Sequence, residues 1–243
     1  MGGGCNNEAS GSYGATVGGG IYNTASGYAA TVGGGSGNTA SGHYATVGGG
    51  KDSTAAGDYS FVVGRKAKNT TDGHDGVFMF ADSTDTRFNS AAANEFAVRA
   101  SGGYRLYSNA GLTAGVTMAA GASSWSTVSD VNLKENFIPL DGREVLEALS
   151  RIAITEWNYR AQDGSIRHVG PMAQDFYAAF GLGEDNLHIS TVDPDGIALL
   201  SIQALYELVQ EQEDEIAEKD NEIAALEARL RALEEAVEEL LNR

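Results

Sequence analysis

Cysteine is almost missing from this sequence: Cys5 is the only one in 243 residues, so no disulfide framework can form within the chain. Proline is nearly as scarce, and its three occurrences, Pro139, Pro171 and Pro194, all follow residue 128. No apolar run approaches the ~20 residues of a membrane span, so no membrane insertion is expected. The first residues lack both the basic and the apolar region of a signal peptide. Met1-Gly2 opens like a myristoylation site, but Asn6 stands where that motif needs Ser or Thr. Basic residues are few, 16 Lys and Arg against 33 Asp and Glu. The resulting net charge of −17 repels phosphate backbones, which argues against a nucleic-acid partner. One cysteine and four scattered histidines offer no metal-ligand spacing, so neither a metal nor a cofactor is expected.

Glycine is abundant, and its distribution divides the chain. Of 32 glycines, 26 fall in residues 1–128, which with the proline shift marks a boundary near residue 128. Charge divides the same way. Residues 1–128 carry a net −1, residues 129–206 a net −7, and residues 207–243 a net −9. The length allows one to three small domains. The chain also begins inside a repeat, as a piece of a longer protein would.

That repeat is plain. Triple glycines stand at 2–4, 18–20, 33–35 and 48–50, spaced by 16, 15 and 15 residues. Val17, Val32, Val47 and Val62 form one column, Ala25, Ala40 and Ala55 another, and Gly27, Gly42 and Gly57 mark a second turn in each unit. A 15-residue unit with two glycine turns fits one winding of a solenoid, with two short strands and two tight corners. Glycine suits corners that need positive φ or close backbone approach. The Val and Ala columns would stack into an interior too thin to stand alone, so neighbouring chains must supply burial. The segment GGGKDST departs from a phosphate loop, because Ala45 occupies the first glycine position and Asp52 follows Lys51.

The repeats over roughly residues 2–65 resemble the head repeats of trimeric bacterial adhesins and phage tail fibres, which form trimeric β-rolls. The steps Asn23-Thr24 and Asn38-Thr39 resemble those of ice-binding or calcium-binding rolls, but the Asp-bearing nonapeptide of the latter is missing. Residues 76–125 read as short strands broken by Gly, Asn and Ser. Here Phe78, Phe80, Phe96, Val98, Tyr104, Leu106 and Tyr107 are expected to cap the roll and widen its interior as core, rather than to form a sugar platform. Residues 108–128 read as extended chain able to wind around partners.

Beyond the boundary come Ser129-Asp130-Val131-Asn132-Leu133-Lys134-Glu135-Asn136, a helix over 143–151, and a strand over 154–159 ending in Trp157-Asn158-Tyr159. Gly170-Pro171-Met172-Ala173-Gln174-Asp175-Phe176 and a long terminal helix follow. This series, over about residues 126–210, resembles the intramolecular chaperone of endosialidase and phage tail-spike proteins, also classed as S74 peptidases. The same domain is shared with a membrane-bound animal transcription factor. The resemblance implies a domain that directs trimerisation and folding of the fibre before it. It also implies cleavage of the bond ahead of the domain's first serine, here Val128–Ser129, with Ser129 and Lys134 as the catalytic pair. Two positions depart from the family pattern: Asn132 stands where many members are basic, and Phe137 where Ile is common.

The residues suit that chemistry on their own terms. A serine hydroxyl needs a base, and a lysine can serve when burial disfavours its ammonium form. Lys134 lies five residues from Ser129, so a turn or a neighbouring chain could bring the two together. Attack on a bond of the same chain is intramolecular, with effective molarities reaching ~10⁵ M or more in favourable cases. Ser123, Ser124 and Ser126 read as linker serines, and His168 and His188 as ordinary structural histidines.

From Ile202 apolar residues recur in steps of three and four. Position a holds Ile202, Val209, Ile216, Ile223, Leu230 and Val237. Position d holds Leu205, Leu226, Leu233 and Leu240, with Gln212 and Lys219 as polar layers that fix register. Ile or Val at a with Leu at d favours two strands, whereas the resemblance and the thin roll call for three. The expected architecture is a multidomain fibrous homotrimer. It comprises an all-β roll over 1–75, a strand-rich transition over 76–128, a small α+β chaperone domain over 129–201 and a parallel coiled coil over 202–243. The expected partner is the chain itself, with a cell-surface receptor or glycan left open. The expected setting is a phage virion tail fibre or another extracellular fibre, made in the bacterial cytoplasm.

Overall fold

The computed structural model describes residues 3–71 and 73–242, and the chain divides into two compact units, Met1–Glu135 and Asn136–Arg243. The first is built on a β-solenoid. One parallel ladder runs through Thr16–Val17, Thr31–Val32, Thr46–Lys51, Phe61–Arg65, Phe78–Ala81 and Phe96–Arg99. A second runs through Glu8–Ala9, Thr24–Ala25, Thr39–Ala40, Thr54–Ala55, Ala67–Asn69 and Phe88–Asn89. The two strands per winding are those that the repeat implies. A third, short face adds Gly4–Cys5 against Gly20–Ile21, continued by single bridges from Ile21 to Ser36 and from Ser36 to Lys51.

The interior follows from strand parity. Alternate residues of a strand point to opposite faces, and the inward set is Val17, Val32, Val47, Val62 and Met79 from the first ladder and Ala25, Ala40, Ala55 and Ala67 from the second, all fully buried. With Val and Ala facing one another, the windings close too tightly for an aromatic ring. This overturns the expectation that Phe78, Phe80 and Phe96 widen the interior. Met79 and Ala81 fill the inside of that strand, while Phe78 and Phe80 face out, and Phe96 is 75% exposed. The parallel ladder also continues past residue 76 to Arg99, so the change of sequence character there is not a change of architecture.

Glycine does both of its expected jobs, in different corners. Gly20, Gly35 and Gly50 of the triple-glycine corner adopt φ of 92, 95 and 113°, while the second corner uses glycine for close approach. At Gly27 a Cβ would lie 2.0 Å from the carbonyl oxygen of Gly42, and at Gly42 it would lie 2.3 Å from that of Gly57. Close approach of successive windings therefore demands glycine in this column. The left-handed residue of the same corner is not glycine but Tyr13, Ala29, Tyr44 or Tyr59, at φ 52–57°. Tyr13, Tyr28, Tyr44 and Tyr59 line this ridge with successive ring centroids 5.4 Å apart, tilted, edge-to-face and stacked in turn, and these contacts help offset the backbone strain.

The asparagines of the Asn-Thr steps turn inward, unlike a ligand-binding column. Asn23 and Asn38 are fully buried. The Nδ2 of Asn38 donates to Oδ1 of Asn23 at 3.1 Å and to the carbonyls of Gly34 and Gly50, both at 2.9 Å. Its Oδ1 accepts from the backbone N–H of Ser53 at 2.9 Å. The amide thus gives the Gly34 carbonyl and the Ser53 N–H their partners, and adds a second donor to Gly50 O, which also accepts from the Ser36 N–H at 3.0 Å. Replacing Asn38 with alanine leaves the Gly34 carbonyl and the Ser53 N–H unpaired together. At about 1–3 kcal/mol for each unsatisfied group, the expected loss is roughly 2–6 kcal/mol, read as a lowered denaturation midpoint of the solenoid.

At the end of the ladder Arg99 joins three windings. It pairs with Asp82 at 3.0 Å and donates to the carbonyls of Thr84, Thr86 and Arg65. Hydrogen bonds from Ser101 and Thr84 hold the Asp82 carboxyl well below the usual carboxylate range. Residues 108–128 are not simply extended. Gly103–Tyr107, Gly115–Ala119 and Ser126–Thr127 form an antiparallel meander, tied to the solenoid by Tyr104, whose hydroxyl donates to Val98 O at 2.7 Å.

The second unit holds helix α1 (Gly142–Ser150), a hairpin of Thr155–Trp157 and His168–Gly170, helix α2 (Ala173–Phe180) and helix α3 (Val192–Leu241). Asp141 caps α1 through the N–H groups of Arg143 and Glu144, and Gly181 ends α2 in the left-handed conformation. The core is small. Val145, Phe176 and Ile197 are buried, with Leu149, Ile152, Phe180 and Leu200 packed around them. Gly142 lets α1 approach α3 closely, since a Cβ there would lie 3.0 Å from the Cβ of Ala204. Arg143 also pairs with Glu211 of α3, and this raises its already high pKa.

Candidate functional site

The bond between Val128 and Ser129 lies just after the last strand of the first unit. Ser126 and Thr127 pair with Thr117 and Val116, so the chain up to Thr127 is held by the meander. Asp130 then starts a single 3₁₀ turn over Val131–Leu133. Its carboxylate accepts from the Asn132 backbone N–H at 2.9 Å and from Asn132 Nδ2 at 2.8 Å. The N–H of Lys134 closes the turn on Val131 O at 3.2 Å.

This turn decides where the lysine goes. Lys134 leaves it in extended conformation, and its Nζ donates to Ser129 Oγ at 2.7 Å. The two residues named from sequence therefore meet within one chain. The Asp130 cap, which supports the turn, was not singled out in the sequence, although an Asp ahead of a short helical turn is a recognisable signal. Ser129, Lys134 and the whole stretch 121–141 are exposed in the single chain, and Val128 is 40% exposed.

Lys134 is the donor in this contact. A base must instead accept the serine proton, and a lysine does so readily only when removed from water. The single chain supplies the reach between the two groups without that enclosure.

The histidines are engaged locally. His168 Nε2 lies 2.8 Å from Gln162 Oε1, and its ring packs on Trp157 and Tyr159. His188 Nδ1 lies 3.0 Å from both oxygens of Asp185, whose carboxyl is held below the usual range by the backbone N–H of Leu187 first and then by the His188 ring. Among the described residues no group of three His, Cys, Asp or Glu side chains gathers as a metal site would require.

The proposed trimer-core residues all lie on α3. Its 50 residues span about 75 Å at ~1.5 Å per residue, and the heptad pattern expected from 202 begins ten residues into it. Ile202, Leu205, Val209, Ile216, Ile223, Leu226, Leu230, Leu233, Val237 and Leu240 are each between 47 and 71% exposed in the single chain. No helix among the described residues is long and apolar enough to cross a membrane.

No curated protein matches the chain. Residues 129–182, beginning at the serine that Lys134 reaches, match the family Peptidase_S74, chaperone of endosialidase, and the chain therefore carries a domain of that family.

Proposed function

We propose that this chain is the C-terminal part of a homotrimeric, tail-fibre-like protein whose chaperone domain drives trimerisation and folding and then cuts itself off at Val128–Ser129. The observation that carries this reading is the coincidence at Ser129. The family match starts there, and the only side chain that reaches its hydroxyl within the described residues is a lysine. The domain over 129–201 gathers three chains together with a parallel coiled coil over 202–243. The fibre would sit in a phage virion or another extracellular fibre.

The steps are those of intramolecular acyl transfer. Neutral Lys134 takes the proton from Ser129 Oγ, which attacks the Val128 carbonyl carbon. The C–N bond breaks with a proton going to the Ser129 nitrogen, leaving an ester. Water then hydrolyses the ester to the Val128 carboxylate and a free Ser129 amine. Neighbouring copies are the natural source of the enclosure that the single chain lacks.

That same exposure favours a second reading, a structural fibre tip whose chaperone domain stays attached. Intact-mass measurement with light scattering separates the two. Pieces of 128 and 115 residues from a trimer are expected. A single intact trimeric species would favour the permanent tip, and a monomer would remove both readings.

A further inference from the structure

The outward column of the first ladder changes character halfway along the solenoid. Its successive members are Thr16, Thr31, Thr46, Phe61, Phe78 and Phe96, each paired with the next. The three phenylalanine rings stack nearly parallel, with centroids 5.4 and 5.0 Å apart. Phe80 stands on the same outward face, beside half-buried Val63 and Val98. Phe61, Phe78 and Phe80 are 38–39% exposed, and Phe96 more so. At ~150–250 Å² per aromatic side chain, the four leave roughly 400 Å² of ring surface in water. A patch of that size on a soluble chain marks a contact surface.

We propose that this phenylalanine face is the contact between copies of the chain within the fibre, and that it sets their register. The inference rests on the homotrimeric reading above. Three observations select a second copy as the occupant. First, the chaperone family on the same chain implies self-association. Second, the rings cover one another: both faces of Phe78 are occupied, by Phe61 and Phe96, so the stack offers edges rather than the open platform a sugar ring needs. Third, the area is small. Stable complexes bury ~1,200–2,000 Å² in total, so roughly 400 Å² holds a free partner poorly. It suffices for copies that a neighbouring helix and chaperone already keep together.

The spacing explains the register. From Thr16 to Phe61 the column repeats every 15 residues, and three consecutive threonines make successive windings interchangeable. The steps from Phe61 to Phe78 and from Phe78 to Phe96 are 17 and 18 residues. If two copies slip by one winding, Phe61 of one faces Thr46 of the other, and one Phe96 is left uncovered. The aromatic windings penalise the slip that the threonine windings tolerate, and in sequence they lie between those windings and the chaperone domain. Alignment then starts at Phe96 and spreads toward the N-terminus.

The test is cross-linking in the full-length chain with Cys5→Ser, so that no native thiol competes. Phe78→Cys, Phe80→Cys and Thr39→Cys are each treated with a short bis-maleimide. Thr39 lies on the second ladder and serves as the control face. Cross-linked pairs are expected from Phe78→Cys and from Phe80→Cys, which stands in if the first variant folds poorly, and not from Thr39→Cys. Equal cross-linking at all three positions would overturn the assignment. So would its absence at both phenylalanine positions in a chain that light scattering shows to be trimeric. A monomeric mass would instead overturn the homotrimeric reading itself.

Discussion

Replacing Ser129 with alanine should leave one full-length species where the parent chain is expected to yield pieces of 128 and 115 residues. The expected loss of cleavage rate is a factor of 10⁴ or more, on the order of what removal of a serine nucleophile costs elsewhere. Lys134→Arg should be nearly as damaging. A guanidinium can still donate to Ser129 Oγ, but it does not become neutral and so cannot take the proton. Asp130→Ala should fall between the parent and these two. It removes the carboxylate that caps the 3₁₀ turn and loosens the approach of Lys134 without deleting a reacting group. Since Ser129 and Lys134 are exposed and outside both cores, all three variants should assemble like the parent. Mass spectrometry over a time course reads the cut, and light scattering reads the assembly. Full cutting by Ser129→Ala would remove the enzymatic claim and leave the chaperone claim standing.

The solenoid was legible because its period and its parity agree. A 15-residue repeat with a Val column and an Ala column can place both columns inside only if each winding has two strands facing each other, and that is how the ladders run. The errors share one cause: residue type was allowed to outweigh position. Phe78 and Phe80 were placed inside because they are aromatic, yet alternation sets them opposite Met79 and Ala81 in the same strand. The interior, only wide enough for Val and Ala, decides which set goes in. The Asn23-Thr24 and Asn38-Thr39 steps resemble those of ice-binding or calcium-binding rolls, and position again decides their part: the asparagines are buried and bond the carbonyls of the glycine corner.

The candidate site was legible as a pair but not as a geometry. A serine and a lysine five positions apart do not specify a turn. The Asp130 cap does, because its carboxylate collects the donors that start the 3₁₀ turn. The stretch around Lys134 is exposed in the single chain, so on the proposed trimeric reading its enclosure falls to neighbouring copies.

The second large effect concerns α3. Placing aspartate at both Ile216 and Ile223 should abolish the trimer at micromolar concentration. Each isoleucine is more than half exposed in the single chain, so burying it between helices contributes about 1.5 kcal/mol, the lower end of the range for a large aliphatic side chain. Two positions in three chains amount to roughly 9 kcal/mol, or on the order of 10⁶ in the association constant. Clustered carboxylates in each layer add repulsion to a segment, 207–243, that already carries a net −9. The helix itself should persist, because aspartate on its surface lowers propensity only modestly, and circular dichroism checks this. The informative readout is the solenoid. With its seven alanines among thirteen buried apolar residues, it has little core of its own and relies on neighbours to cover the phenylalanine face. If the helices no longer gather the chains, three glycine-rich solenoids must meet by diffusion while choosing among near-equivalent 15-residue registers, so soluble trimeric solenoid should be largely lost. Recovery of correctly folded trimeric solenoid from the Ile216→Asp, Ile223→Asp chain at the parent yield would mean that the windings find one another unaided, and the tail would then have no part in aligning them.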